Sequence, residues 1–161
     1  MIKNCCFFGH ESLPVTWVIE LKVMHEIEDL IQKGVADFYA GGLVGWDIIC
    51  AKAVIRLRKV YPHIKLHLFL PRYNRFKVNG WDSNQKNDYN EILSDKEGVE
   101  IQYWSGSTTK LNKKLVELSD YCICYYDKNI TASRTSQAIF MAQEKGLKII
   151  NLWVMYRNYS V

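Results

Sequence analysis

Asp37-Phe38-Tyr39-Ala40-Gly41-Gly42-Leu43-Val44-Gly45-Trp46-Asp47 passes from a run of strand length, through a turn holding three glycines, into a stretch of helical period. The strand is placed at Asp37 to Ala40. The helix runs from about Gly45 to Lys59, with Ile48, Ala51 and Ile55 on its buried side. The same strand-turn-helix pattern continues in both directions. Cys5 to Phe8 reads as a buried strand closed by Gly9, and Trp17, Leu21, Met24, Ile27 and Ile31 recur with a period of about 3.6 residues up to Lys33. Gly34 and Gly146 stand where helix-terminating residues belong. Downstream, strands are expected at Lys65 to Leu70, Val99 to Trp104, Tyr121 to Tyr126 and Leu147 to Leu152. Helices are expected at Thr108 to Leu118 and from Ser133 to Lys145. The stretch at about 72–98 is read as an inserted loop, with Asn79-Gly80 as a turn and a short helix possible at Asp88 to Leu93.

Strands and helices alternating through such short connections require parallel strands joined by crossover helices. The fold class is therefore α/β: one doubly wound, mostly parallel sheet with helices on both faces, over a single domain spanning 1–161. A chain of 161 residues and 18.8 kDa buries roughly 70% of its extended surface on folding, enough for a core without metal or disulfide staples. With 48% hydrophobic and 24% charged residues it is globular rather than disordered. No apolar run approaches the ~18 residues of a membrane span, and the N-terminal residues lack the shape of a signal peptide, so a cytoplasmic location is expected. The net charge of +4 contains no concentrated basic stripe, which argues against nucleic acid as the main partner and leaves room for a local anion site. The five cysteines are an odd number, and Cys5-Cys6 and Cys122-x-Cys124 lie inside strands rather than on knuckle turns. They are read as packed thiols with no metal and no disulfide framework.

Sheets of this kind bind ligands beyond the carboxyl ends of their strands, where helix N-termini direct free N–H groups into a crevice. Three strand-to-helix turns fall on that edge. The first contains Gly9 and His10. The second contains Gly41, Gly42 and Gly45, followed by Trp46 and Asp47. The third runs from Asp127 to Ser136 and opens a helix with Ser133, Arg134 and Thr135. Each turn alone has a structural explanation, because glycines serve sharp turns and Ser, Thr and Asp cap helices. Together they resemble a phosphate or nucleotide cradle, in which backbone N–H groups and Arg134 hold phosphate, Asp47 accepts from a ribose hydroxyl and Trp46 or Trp81 stacks on a base. Trp81, near Arg72 in the long stretch, serves equally as a base platform or as an anchor for a surface loop. His25, His63 and His67 have no partners at ligand spacing and are read as surface or packing residues.

Cys5-Cys6-Phe7-Phe8-Gly9-His10, Phe38 to Asp47, Leu118-Ser119-Asp120-Tyr121 through Asp127, and Gly146-Leu147-Lys148-Ile149-Ile150-Asn151 resemble the YpsA-like branch of the SLOG superfamily, in the right order over nearly the whole chain. The resemblance implies a Rossmann-like fold, recognition of nucleotides or nucleotide-derived signals, and a homo-oligomer. It suggests sensing or sequestering of a ligand such as ADP-ribose, cyclic ADP-ribose or a cyclic nucleotide, as in bacterial defence or its evasion by phage. The chain departs from the family where Ser133-Arg134-Thr135 replaces the usual Gly-Gly-Thr. The related Lonely Guy phosphoribohydrolases carry a Glu three residues after that Thr, and here the aligned position is Ala138, which cannot act as acid, base or nucleophile. A binding protein without catalytic residues or cofactor is therefore the leading expectation. One alternative is cleavage of a nucleoside monophosphate, with Asp47, Asp127 or Glu11 replacing the missing Glu. A further one is single-stranded nucleic-acid binding of the DprA type, which the middle segment also resembles.

Overall fold

The computed structural model describes residues 3–10, 17–41, 45–71 and 83–153. In chain order these form β1 (Lys3–Gly9), α1 (Trp17–Gln32), β2 (Val35–Gly41), α2 (Trp46–Leu57), β3 (Lys65–Pro71), α3 (Ser83–Ser94), β4 (Val99–Trp104), α4 (Thr108–Leu118), β5 (Tyr121–Tyr125), α5 (Arg134–Lys145) and β6 (Lys148–Asn151). The strands make one six-stranded sheet in the order β4-β3-β2-β1-β5-β6, with every pair parallel. This is an α/β, Rossmann-like fold.

Strand periodicity divides the core into two layers. Cys5 and Phe7 of β1 and Ile123 and Tyr125 of β5 face α1, α2 and α3, whereas Cys6, Phe8, Cys122 and Cys124 face α4 and α5. Strands buried on both faces are why these segments read as continuous apolar runs. Four strands step outward from β1 to β4, and the chain then returns to place β5 on the other side of β1. The order therefore reverses between β1 and β5. At α5, Gly146 adopts a φ of +83° and closes the helix as the sequence predicts, its N–H donating to Ala142 O and Gln143 O.

Two expectations are corrected. Within the stretch read as an inserted loop, the short helix placed at Asp88 to Leu93 is part of a longer one, the twelve-residue α3 over Ser83–Ser94. Only Tyr89 and Ile92 of that helix are buried, so its apolar period is too sparse to mark the helix's N-terminal half. The stripe expected on α1 is also displaced. Ile19, Val23, Ile27, Leu30 and Ile31 are buried, whereas Trp17 is 72% and Leu21 56% exposed. Ile27 and Ile31 are buried as expected, and Ile19 and Val23, at four-residue steps before Ile27, take the buried places expected of Trp17 and Leu21.

Candidate functional site

The reversal between β1 and β5 leaves a cleft of about 690 Å³ at the carboxyl edge of the sheet. Phe8, Gly9 and His10 line it from β1, Gly41 from β2, Phe69 from β3 and Trp104 from β4. The helices contribute Asp47, Thr108, Leu111, Asn112 and the residues Ser133, Arg134 and Thr135 at the start of α5. Its volume falls in the ~300–1,000 Å³ range of small-molecule sites.

Seven residues singled out in the sequence line this one cleft: Gly9, His10, Gly41, Asp47, Ser133, Arg134 and Thr135. Gly45 stands at the N-cap of α2 with a φ of +56°. Gly42, Arg72, Trp81 and Glu11 lie outside the described residues. Asp127 is not among the residues that line the cleft. Its carboxylate accepts from Asn129 N at 2.9 Å, and its backbone N–H donates to His10 Nε2 at 3.0 Å.

Trp46 requires a correction. Expected as a base-stacking platform, it is fully buried. Its Nε1–H donates to Ile123 O at 3.4 Å, and its ring lies 5.5 Å from that of Tyr125. Gly9 is what lets the indole in, since a Cβ built on Gly9 would lie 2.3 Å from Trp46 Cγ. The first turn of α2 thus packs its aromatic residue under the switch point and leaves Asp47 at the cleft.

The start of α5 is held by its own side chains. Ser133 Oγ accepts from Ser136 N at 3.0 Å, and Ser136 Oγ accepts from Ser133 N at 2.9 Å, a reciprocal capping arrangement. Thr135 Oγ1 donates to Gly9 O at 3.1 Å, tying α5 to the end of β1. In this arrangement the Thr135 hydroxyl proton is directed at Gly9 rather than into the cleft. The exposed Arg134 guanidinium and the backbone N–H groups of Arg134 and Thr135 are the cationic and donor groups at the start of α5.

His10 has a defined tautomer. Because Nε2 accepts the Asp127 N–H, the neutral ring carries its proton on Nδ1. Burial pushes its pKa below the ordinary value of 6.5, partly offset by the negative charge of Asp127. The folded state therefore prefers the neutral ring. That preference stabilises the protein above about pH 6.5 and is lost as the pH falls through the depressed folded value. An NMR titration of the His10 ring is expected to show a midpoint under 6.5; one at or above 6.5 contradicts this account of the loop.

Among the described residues no group of three or more His, Cys, Asp or Glu side chains is arranged to hold a metal ion. All five cysteines are buried and free, and burial pushes the Cys5 and Cys50 thiols well above the ordinary value, so neither is a ready nucleophile. Ala138, on α5, is fully buried.

The sequence reading missed the far wall of the cleft, made by Phe69, Trp104, Gly106, Thr108, Leu111 and Asn112. A signal for it was present: Trp104-Ser105-Gly106-Ser107-Thr108 is a fourth strand-to-helix turn of the same small and polar composition as the other three.

The YpsA family model, described as the YspA SLOG family, matches residues 3–155. A UPF0398 protein of Halalkalibacterium halodurans is 28% identical over 127 residues, covering 76% of this chain and 66% of that protein, so this chain spans just under two thirds of that relative's length. A UPF0398 protein of Staphylococcus saprophyticus is 23% identical over 147 residues, covering 83% of this chain and 77% of that protein. Among solved structures, an aldo-keto reductase from Klebsiella pneumoniae in complex with NADPH covers 91% of this chain and 62% of its own, at 10% identity and a TM-score of 0.37. A likeness at that level says nothing about a cofactor for this chain. No helix among the described residues is long and apolar enough to cross a membrane.

Proposed function

This chain belongs to the YspA SLOG family, and from that premise we propose that it binds a nucleotide-derived small molecule in the switch-point cleft, as a sensor or a sequestering protein, without transforming it. The observation that carries this reading is the meeting of the first turn of α5, Arg134, Gly9, Gly41 and Asp47 at one cleft. Helix dipole, the backbone N–H groups at the start of α5 and a guanidinium favour phosphate there. Asp47 is the acceptor for a ribose hydroxyl. Absence of a carboxylate at Ala138 favours capture over hydrolysis.

Calorimetry against AMP, ADP-ribose, cyclic ADP-ribose and cyclic AMP is expected to give heat with at least one of them and a matching rise in Tm. Arg134→Glu should weaken that binding by more than about tenfold, the scale of losing a charge-assisted hydrogen bond. No heat and no Tm shift with any of the four would count against the proposal. Because Asp47 is a carboxylate in the cleft, release of free base from AMP, abolished in Asp47→Ala, would instead establish a phosphoribohydrolase.

A further inference from the structure

We infer that the β3/β4 end of the cleft is a seat for a planar heteroaromatic ring, so that the ligand carries its ring on the opposite side of the cleft from its anionic group. This rests on the proposed binding function and specifies the ligand's chemistry. The seat is built around Trp104, whose indole is locked in place from three directions. Its Nε1–H donates to Ser107 O at 3.2 Å. The Gly106 backbone packs so closely on the ring that an added Cβ would lie 3.0 Å from Nε1 and 3.2 Å from Cε2. The Phe69 ring meets it edge-to-face, with centroids 6.4 Å apart and planes at 78°.

With the indole N–H already bonded to Ser107, the part of the ring that remains for the cleft is hydrocarbon and π surface. Such a surface selects flat, polarisable groups and cannot pair with phosphate. Beside it, Thr108 and Asn112 stand one helical turn apart on α4, and both line the cleft. A hydroxyl and a carboxamide together offer donors and acceptors, which the edge of a nucleobase requires and an aliphatic chain does not. Leu111, on the same helix, also lines the cleft.

The sheet order sets the span. The first turn of α5 lies at the β1/β5 end, and Phe69 and Trp104 stand on β3 and β4, two and three strands away from β1. At the spacing of parallel strands that is roughly 10–14 Å. A ligand that fills both ends therefore separates its anion from its ring by at least a sugar, and a diphosphate linkage suits the distance better than a single phosphate.

The test compares AMP and ADP-ribose with base-free ribose 5-phosphate by calorimetry, on the full chain and on Trp104→Ala and Trp104→Phe. Trp104→Ala is expected to weaken the base-bearing ligands by about ten- to a hundredfold, the scale of a lost base–aromatic stack, with Trp104→Phe restoring most of it. Ribose 5-phosphate should be unaffected by either substitution. Unchanged binding of the base-bearing ligands to Trp104→Ala would overturn the ring seat while leaving the binding function intact. An equal loss for ribose 5-phosphate would overturn it too, because the residue would then be shaping the whole cleft. No binding by the unsubstituted protein removes both readings together.

Discussion

Gly9→Ala is expected to destabilise the protein by about 3 kcal/mol or more, the upper end of the range for overpacking a core. The added methyl carbon would lie 2.3 Å from Trp46 Cγ and 2.6 Å from both Cβ and Cδ1, far inside van der Waals contact. Neither side has an easy retreat. Gly9 is paired with Tyr125 in the β1–β5 ladder and its carbonyl accepts from Thr135, so moving the backbone would disturb the sheet and the start of α5 together. Trp46 is fully buried between Gly9 and Tyr125 and bonded to Ile123 O. Urea unfolding measures the loss, and a double-mutant cycle identifies its cause. Trp46→Leu, damaging on its own, should recover part of the stability of Gly9→Ala by making room for the methyl group. Strictly additive losses, or a single-mutant loss under about 1 kcal/mol, would show that Gly9 does not act through Trp46.

Lys52→Met should cost about 2 kcal/mol and should loosen α3 before the rest of the molecule. Lys52 is 7% exposed on α2, and its ammonium lies 3.0 Å from Glu20 of α1 and 3.1 Å from Asp88 of α3. Burial pushes its pKa down, and the hydrogen bonds to Glu20 and Asp88 outweigh this and hold it above the ordinary lysine value. One cation thus joins three helices of the same layer. Removing one member of a buried pair costs about 3–5 kcal/mol when the remaining charge is stranded. Here the Glu20 and Asp88 side chains are 26% and 31% exposed and regain water, which is the reason for the smaller figure. Hydrogen exchange should rise most at the α3 amides, since few apolar contacts hold that helix. Uniform acceleration across the sheet would refute the idea that Lys52 docks α3.

Most of the architecture was open to reading from residue order. Buried parallel strands announce themselves as short apolar runs, and helices such as α2 and α4 carry an apolar period that survives without knowledge of the partner surface. The full length of α3 escaped because much of what fixes it is a match of charge with α2 and its C-terminal end. Lys52, Arg56 and Arg58 meet Asp88, Glu91 and Asp95 at 3.1, 2.9 and 2.7 Å respectively. A helix docked by ion pairs and two buried side chains leaves little hydrophobic signature.

The cleft divides in a similar way. Glycines after strands and hydroxyls at a helix start are local signals, and they located Gly9, His10, Gly41, Asp47 and the start of α5 at one sheet edge. Chain order alone therefore specified the alternating architecture and the sheet edge at which the cleft lies, because strand and helix periods and turn chemistry depend on near neighbours. Only the packed structure decided which aromatic faces the cleft. Trp46 goes inward because Gly9, distant in sequence, leaves space for its ring, and Trp104 faces the cleft because Ser107, Gly106 and Phe69 hold it there. The direction of a large side chain depends on volumes supplied by remote segments, and those volumes exist only once the strands have paired.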